Sequence, residues 1–218
     1  MNILARVAIV EDHRFMAETN KRLPQAMRPS GRTGRIFGWL MSRLNRGSYL
    51  WTVEQLRAIQ PKIVLEIGFG TGHMLALAAK TFKPERLAGV DPSELMVETA
   101  QKRLRKFRKK TTLDIRCGDD TALPDGPFDA IVALHSFQFW SDPDAALARV
   151  RARLSPGGRF ILVLRIHTKR SGRNVPNPLS RSGNEIAAAC AALDRAGFSV
   201  SGMQGISKTS QGIVAAPR

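Results

Sequence analysis

Cysteine and long apolar runs are both scarce in this chain of 218 residues. Its two cysteines, Cys117 and Cys190, stand far apart, and neither has a His or Cys neighbour at the spacing of a metal site. We therefore expect no disulfide framework and no metal site, but two reduced, buried cysteines in a cytoplasmic protein. No apolar run approaches the ~20 residues that span a bilayer, and residues 1–12 lack the cleavage signature of a signal peptide.

Acidic residues are also scarce, at 18 Asp and Glu against 34 Lys and Arg, and the net charge is +16. Such a charge attracts an anionic partner, such as nucleic acid, an acidic membrane surface or an acidic substrate. The densest positive run is Lys102–Lys110. We interpret this run as a solvated helix face, with peripheral contact to an anionic membrane as the alternative. Without interleaved aromatic residues or a recognition motif, it gives little support to binding of RNA or DNA.

The middle of the chain alternates short apolar runs with helix-like segments. The apolar runs predict strands at 63–67, 86–90, 112–116, 128–134 and 159–166. The segments between them predict helices at 72–81, 93–108 and 143–154, and a later helix at 182–196 precedes two closing strands, 198–203 and 212–216. Strands separated by helices imply a parallel sheet with right-handed crossovers. We predict a single doubly wound α/β domain over residues 58–218, with a mostly parallel sheet of seven strands and helices on both faces.

Residues 1–57 differ from the rest in composition and predict an added N-terminal helical segment. The stretch Arg35–Leu44 places apolar residues at helical spacing, and Tyr49 and Trp51 follow it. We expect this extension to close over a bound ligand as a lid. A helix that packs on the core without contact to the acceptor is the alternative.

A glycine-rich stretch follows the first predicted strand. Gly68, Gly70 and Gly72 end the run Val64-Leu-Glu-Ile-Gly-Phe-Gly-Thr-Gly72. Glycines let the backbone turn sharply and bring its N–H groups close to a ligand. Ligands of doubly wound folds bind beyond the carboxyl ends of the strands, where this loop lies. A dinucleotide fingerprint needs its third glycine at position 73, which is His73, so the spacing argues against NAD or FAD.

Two carboxylates follow the next two predicted strands. Asp91, just beyond the second strand, can accept both ribose hydroxyls of a nucleoside. Asp119, beyond the third strand, can accept a hydrogen bond from an adenine amino group. Because Asp91 would suit NAD as well, the pair supports a nucleoside ligand without naming it.

Taken in order, five motifs between Val64 and Leu162 resemble the class I S-adenosylmethionine-dependent methyltransferases, in particular their type 11 group. The motifs are Val64–Gly72, Asp91–Pro92, Cys117–Pro124, Gly126–Val132 and Arg153–Leu162. The resemblance covers close to half of the chain and implies a Rossmann-like fold, methyltransferase activity and S-adenosylmethionine as the cofactor.

The resemblance also implies which residues contact the cofactor. The three glycines would shape the loop around its methionine end, and Glu66 would hold its ammonium group directly or through water. Asp91 would bind the ribose and Met96 would pack against adenine. The implied cofactor-binding set is Glu66, Gly68, Phe69, Gly70, Gly72, Asp91, Pro92, Met96, Asp119, Asp120 and Leu134.

Two departures from the family pattern bear on these roles. Asp120 stands where a small residue is usual, so we expect its side chain to point to solvent while its backbone lies beside adenine. The segment His135–Trp140 lacks the Asn/Asp-Pro-Pro-aromatic signature of enzymes that methylate amino groups of nucleic acids, which weakens the case for base methylation.

His135, just past the fourth predicted strand, is the predicted catalytic residue. It would border the transferred methyl group together with Leu134, and it would act as a general base if the acceptor atom is protonated. A histidine that lines the pocket without proton transfer is the alternative. The predicted function is methyl transfer to a small-molecule or lipid-like acceptor. An RNA or protein methyltransferase that uses the basic surface and a non-catalytic protein that binds a nucleoside cofactor are the alternatives.

Overall fold

A computed structural model describes residues 41–166 and 183–218 of the chain. Residues 1–40 and 167–182, which include most of the predicted lid and of the helix Arg35–Leu44, lie outside the described residues. The described helices are α1 (Arg46–Leu56), α2 (His73–Phe82), α3 (Glu94–Leu104), α4 (Pro143–Arg153) and α5 (Gly183–Arg195). The strands are β1 (Ile63–Ile67), β2 (Arg86–Asp91), β3 (Thr112–Cys117), β4 (Phe128–Leu134), β5 (Leu154–Arg165), β6 (Phe198–Ser207) and β7 (Ser210–Pro217). Single turns of 3-10 helix follow α3 (Arg105–Phe107) and β4 (Phe137–Phe139).

The strands form one seven-stranded sheet in the order β3-β2-β1-β4-β5-β7-β6. The strands β1 to β5 pair in parallel, and β7 pairs antiparallel with both β5 and β6. The chain order reverses beside β1, so the carboxyl ends of β1 and β4 flank the switch point where ligands of such sheets bind. The predicted doubly wound, mostly parallel sheet is confirmed.

Two hydrophobic cores cover the two faces of the sheet. One lies under α1, α2 and α3 and includes Val53, Leu75 and Leu104, each at most 5% exposed. The other lies under α4 and α5 and includes Leu147 and Leu193, which are fully buried. Because β1 and β4 are buried on both faces, their sequences are continuous apolar runs rather than alternating ones.

The helix α1 lies on the first of these cores and is fixed at its middle by Trp51. The Trp51 indole packs directly over Gly212 of β7, where a Cβ atom would lie only 2.3 Å from the ring. Its Nε1 also donates a hydrogen bond to Oε1 of Gln204 on β6, at 3.0 Å. These contacts join the end of the N-terminal extension to the antiparallel edge of the sheet.

The predicted turn at Pro156–Gly158 lies within strand β5 rather than before it. Leu154 pairs with Phe128, and the next pair is Arg159 with Ala130, so the intervening residues form a bulge. Gly157 has φ +78° in this bulge, a conformation that glycine adopts without a steric penalty. Strand β5 therefore begins at Leu154, earlier than the strand 159–166 that the sequence predicted.

The two cysteines differ in burial, although both were predicted to be buried. Cys190 is partly buried against the core, whereas Cys117 is exposed, so the expectation that both are buried was wrong for Cys117. Both thiols are free. Within residues 41–166 and 183–218, no helix is long and apolar enough to span a bilayer.

Candidate cofactor-binding and active site

The glycine loop between β1 and α2 has the left-handed backbone that its sequence predicts. Gly68, Gly70 and Gly72 have φ values of +77°, +52° and +71°. Gly68 and Gly72 are also required by packing, because a Cβ atom would lie 2.5 Å from Ser136 Cβ and 2.8 Å from Ala100 Cβ, respectively. No atom lies within 4 Å of the corresponding position at Gly70, so the loop is open on that side.

The side chains of Phe69 and Leu134, two predicted cofactor-binding residues, lie in the hydrophobic core. The Phe69 side chain is buried in the core, where its ring fills the space above Gly89 of β2. Leu134 ends β4 with its side chain 6% exposed in the same core. The side chains of these two predicted residues therefore stabilise the edge of the sheet on which the loop stands.

Glu66 on β1 is a buried carboxylate with an unsatisfied oxygen. Its side chain is 2% exposed, and Oε2 has no hydrogen-bond partner among the described residues. Burial raises the pKa of Glu66 well above its usual value, and the nearby Asp91 carboxylate adds to this, while the backbone N–H of Leu75 acts in the opposite direction. A cationic donor placed at Oε2 would satisfy the oxygen and favour the charged carboxylate.

Asp91 ends β2 and ties the glycine loop to the start of α3. Its Oδ2 accepts a hydrogen bond from the Gly70 N–H at 2.7 Å, and its Oδ1 accepts one from the Ser93 N–H at 3.0 Å. Burial raises the pKa of Asp91 to about 6 despite these two bonds. Each oxygen keeps a lone pair that can accept a hydroxyl, as a ribose diol requires.

Pro92, Met96 and Asp119 lie around the ends of β2 and β3. Met96 is 3% exposed in the first turn of α3, and Ser93 caps this helix by accepting the Met96 N–H at 3.4 Å. Pro92 is partly buried. Asp119 is exposed, and its Oδ1 accepts hydrogen bonds from the N–H and hydroxyl of Thr121 at 2.9 and 2.6 Å. The structure brings these residues to the same edge as Asp91.

The side chain of Asp120 does not point to solvent, contrary to our expectation. It is 4% exposed and accepts a hydrogen bond from Nη2 of Arg149 on α4 at 2.5 Å, while its carbonyl accepts one from Nε at 2.9 Å. Burial raises the pKa of Asp120 even though Arg149 opposes the shift. The larger side chain at this position therefore fastens the loop after β3 to α4, a long-range contact that the local sequence does not reveal.

His135 follows β4 in a left-handed conformation with φ +56°, and it is 9% exposed. Its Nε2 lies 3.2 Å from the Ser48 hydroxyl of α1, whereas Nδ1 is buried with no hydrogen-bond partner among the described residues. Burial lowers the pKa of His135 to about 3, and the positive charge of Arg165 acts in the same direction. This histidine is therefore neutral at physiological pH, and such a weak base favours hydrogen bonding over proton transfer.

Helix α1 and the residues just before it bring polar side chains to the glycine loop and to β5, and of these only Tyr49 was singled out from the sequence. The Ser42 hydroxyl, one turn before α1, lies 2.6 Å from the Thr71 hydroxyl of the glycine loop. The Tyr49 ring stacks on His73 at 6.1 Å between centroids, and burial raises the pKa of Tyr49 to about 12. Asn45 Oδ1 accepts a hydrogen bond from Nη2 of Arg165 at 2.8 Å.

Arg103 and Arg165 are the two cations that face this polar set. Arg103 belongs to the basic run that we interpreted as a solvated helix face, but its Nη1 donates to Nε2 of His73 at 2.6 Å. Arg165 ends β5, so a search for charged residues at the carboxyl ends of predicted strands would have found it. The other basic residues of the run are exposed, as predicted.

The arrangement fits S-adenosylmethionine on three counts. Glu66 offers an unsatisfied buried oxygen for an ammonium group, Asp91 offers two acceptors for a diol, and the loop is open above Gly70. The three lie at adjacent carboxyl ends of the sheet, since Glu66 pairs with Gly89, two residues before Asp91.

Comparison with known proteins agrees with this geometry. A family model described as a methyltransferase domain matches residues 65–160. The "uncharacterized methyltransferase YdaC" of Bacillus subtilis (strain 168) is 27% identical over 129 residues, which cover 59% of this chain and 70% of the relative. A demethylmenaquinone methyltransferase of Thermotoga maritima is 32% identical over 122 residues, which cover 54% of this chain and 51% of the relative. The match thus spans about half the length of the second relative.

The fold is shared with solved structures. An S-adenosylmethionine-dependent methyltransferase from Aquifex aeolicus superimposes with a TM-score of 0.66 at 21% identity, over 80% of this chain and 92% of that one. The family model, the relatives and the fold agree with the motifs between Val64 and Leu162. The chain therefore carries a match to a methyltransferase domain over residues 65–160, on a fold shared with S-adenosylmethionine-dependent methyltransferases.

Proposed function

We propose that the protein transfers the methyl group of S-adenosylmethionine to a small-molecule or lipid-like acceptor. The observation that carries the proposal is the cluster of polar side chains beside the glycine loop, in which Ser42 meets Thr71, Ser48 meets His135 and Asn45 meets Arg165. A polar cluster covered by a helix suits a compact acceptor. The relative from Thermotoga maritima, named for demethylmenaquinone, supports a small or lipid-like acceptor.

The bound cofactor supplies an activated methyl group, so the chain mainly has to position the acceptor and exclude water. Glu66 would hold the ammonium of the methionine end, and Asp91 would hold the ribose hydroxyls. Leu134 and His135 would border the acceptor. His135, neutral because of its burial, would orient the acceptor through a hydrogen bond rather than remove a proton.

We also propose that residues 1–57 act as a lid over the polar cluster beside the glycine loop, and that residues 58–218 form the methyltransferase domain. The described part of the extension touches both sides of the site, through Ser42 at Thr71 of the glycine loop and Ser48 at His135. These contacts favour a lid over a helix that merely packs on the core. Held by these contacts, α1 would shield the transferred methyl group from water.

Calorimetric titration of S-adenosylmethionine and, separately, NAD into the purified chain tests the cofactor site. We expect micromolar binding of S-adenosylmethionine alone. Asp91→Ala should weaken it tenfold or more, about 1.4 kcal/mol, because the ribose loses its acceptors. The exposed Asp125 is the matched control, and Asp125→Ala should leave binding unchanged. Preferential binding of NAD, or equal effects of the two substitutions, would contradict the proposal.

A further inference from the structure

We propose that Arg165 and His135 form a subsite for an anionic oxygen group, a carboxylate or a phosphate, carried by the methyl acceptor. The inference rests on the proposed function and names the chemical class of its substrate. It starts from two groups at one place in the described part of the chain, a buried ring nitrogen without a hydrogen-bond partner and a guanidinium without a counterion. Both groups stand at the carboxyl edge of the sheet, beside the glycine loop.

The strand register places these residues side by side. The His135 N–H donates to the carbonyl of Val163 at 2.8 Å, and Val163 precedes Arg165 by two residues on β5. The next residue, Ser136, donates its hydroxyl to the Ile67 carbonyl at the end of β1, at 2.6 Å. The pair therefore adjoins the loop at which the methionine end of the cofactor would lie.

Arg165 carries a charge that no carboxylate neutralises in the described parts of the chain. In those parts, Nη2 of Arg165 donates a hydrogen bond to the neutral amide oxygen of Asn45. Arg149, by contrast, is comparably buried and pairs with the Asp120 carboxylate. Burial lowers the pKa of Arg165, yet a guanidinium stays charged in proteins. A half-buried charge without a counterion is costly, and an anionic ligand would offset that cost.

His135 supplies the second donor. A neutral imidazole carries one N–H, and if the Ser48 hydroxyl donates to Nε2, the proton lies on Nδ1. Nδ1 is the buried atom without a partner, in a side chain only 9% exposed. An anionic oxygen that accepts from both Nδ1 of His135 and the Arg165 guanidinium would satisfy both groups. It would also fix the acceptor in orientation relative to the methyl group, since the subsite stands on two adjacent strands.

The test compares benzoate with benzamide, which has nearly the same shape but no charge, and adds phenyl phosphate as a second anion. The chain is first saturated with S-adenosylhomocysteine, and the three ligands are then titrated by calorimetry. We expect at least one anion to bind at least tenfold more tightly than benzamide. Preference for benzoate or for phenyl phosphate distinguishes a carboxylate from a phosphate acceptor.

Variants assign the selectivity to the subsite. Arg165→Gln should reduce anion binding at least tenfold, and Arg165→Lys should recover part of it. Arg159 is the matched control, because it lies six residues before Arg165 on the same face of β5, and Arg159→Gln should leave anion binding unchanged. Affinity for S-adenosylhomocysteine should stay within about twofold in all three variants.

The outcomes separate this inference from the proposed function. Failure of the wild-type chain to bind S-adenosylhomocysteine would overturn the proposed function. Binding of S-adenosylhomocysteine without any preference for anions over benzamide would overturn only the inference. Equal loss of anion binding in Arg165→Gln and Arg159→Gln would also overturn it, because the effect would then reflect net charge rather than a site.

Discussion

The contact between Trp51 and Gly212 gives the sharpest test of how α1 is held over the site. A Cβ atom at position 212 would lie 2.3 Å from Cη2 and 2.6 Å from Cζ3 of Trp51, far inside van der Waals contact. Gly212 pairs with β5 on one side and β6 on the other, so the strand resists displacement. Gly212→Ala should therefore displace the indole, and with it the middle of α1, rather than the sheet.

The expected loss of stability has two sources, the overpacking at position 212 and the loss of a hydrogen bond. Overpacking of a close-packed site costs about 1–3 kcal/mol. The hydrogen bond from Trp51 to Gln204, at 3.0 Å, contributes roughly 1 kcal/mol more where it is lost. A domain of this size loses ~2–4 °C in Tm per kcal/mol, so a combined loss of about 2–4 kcal/mol should lower the Tm of Gly212→Ala by roughly 4–16 °C.

Thermal unfolding followed by circular dichroism measures this effect, and Gly205→Ala is its control. Gly205 lies on the neighbouring strand β6, where the nearest atom to an added Cβ is 4.0 Å away, so its substitution should change stability by less than ~0.5 kcal/mol. In a Trp51→Ala background the clash is gone, and Gly212→Ala should then have almost no effect. An equal cost of Gly212→Ala with and without Trp51 would refute the reasoning, because the destabilisation would not arise from this contact.

Three further predictions concern charged groups of the site. Burial raises the pKa of Asp91 from 3.8 to about 6 in the cofactor-free protein, so its ionisation opposes folding. As pH rises from 4 to 7, the free energy of unfolding of the wild type should fall by about 3 kcal/mol relative to that of Asp91→Asn. Urea unfolding at several pH values measures both, and a difference between the two proteins that stays constant with pH would contradict this. Asp120→Asn should lower the free energy of unfolding by ~1–3 kcal/mol because it breaks the pair with Arg149, whereas Asp119→Asn should weaken S-adenosylmethionine binding and leave stability nearly unchanged. Calorimetry and urea unfolding of both variants check this, and a reversed pattern would contradict it. Because the pKa of His135 is lowered to about 3, its ring resonances in NMR spectra should not shift between pH 8 and 5, and a titration midpoint near 6.5 would contradict the stated burial.

The alternation of strands and helices was predictable because its causes are local. The strand 63–67 agrees with β1 and the strand 128–134 with β4, since both are apolar runs ended by glycine or a polar turn. The helix α4 begins at Pro143, where Asp142 caps it by accepting the Ala145 N–H at 3.0 Å, a short-range signal that the sequence displays. The glycine loop was predictable for the same reason, because positive φ values select glycine whatever lies elsewhere in the fold.

Other features depended on partners distant in sequence. The bulge in β5 was missed because its position depends on pairing with β4, not on the turn residues themselves. Asp120 was expected at the surface, because nothing near it in sequence indicates that Arg149 lies within reach. The predicted roles of the other cofactor-binding residues stay predictions, although the structure gathers them at one edge of the sheet.

The sequence alone predicted a doubly wound α/β domain from its periodicity, and a nucleoside ligand from its glycine spacing and the carboxylates at its strand ends, because these signals lie within short segments. The methyltransferase assignment came from the resemblance of its motifs to a family. Only the tertiary structure decided what surrounds the proposed acceptor site. Tyr49, Arg103 and Arg165 come from α1, α3 and β5 and meet only when the sheet forms and the helices pack on it. Their protonation and hydrogen bonding depend on burial, which is a property of the assembled fold and not of any one segment.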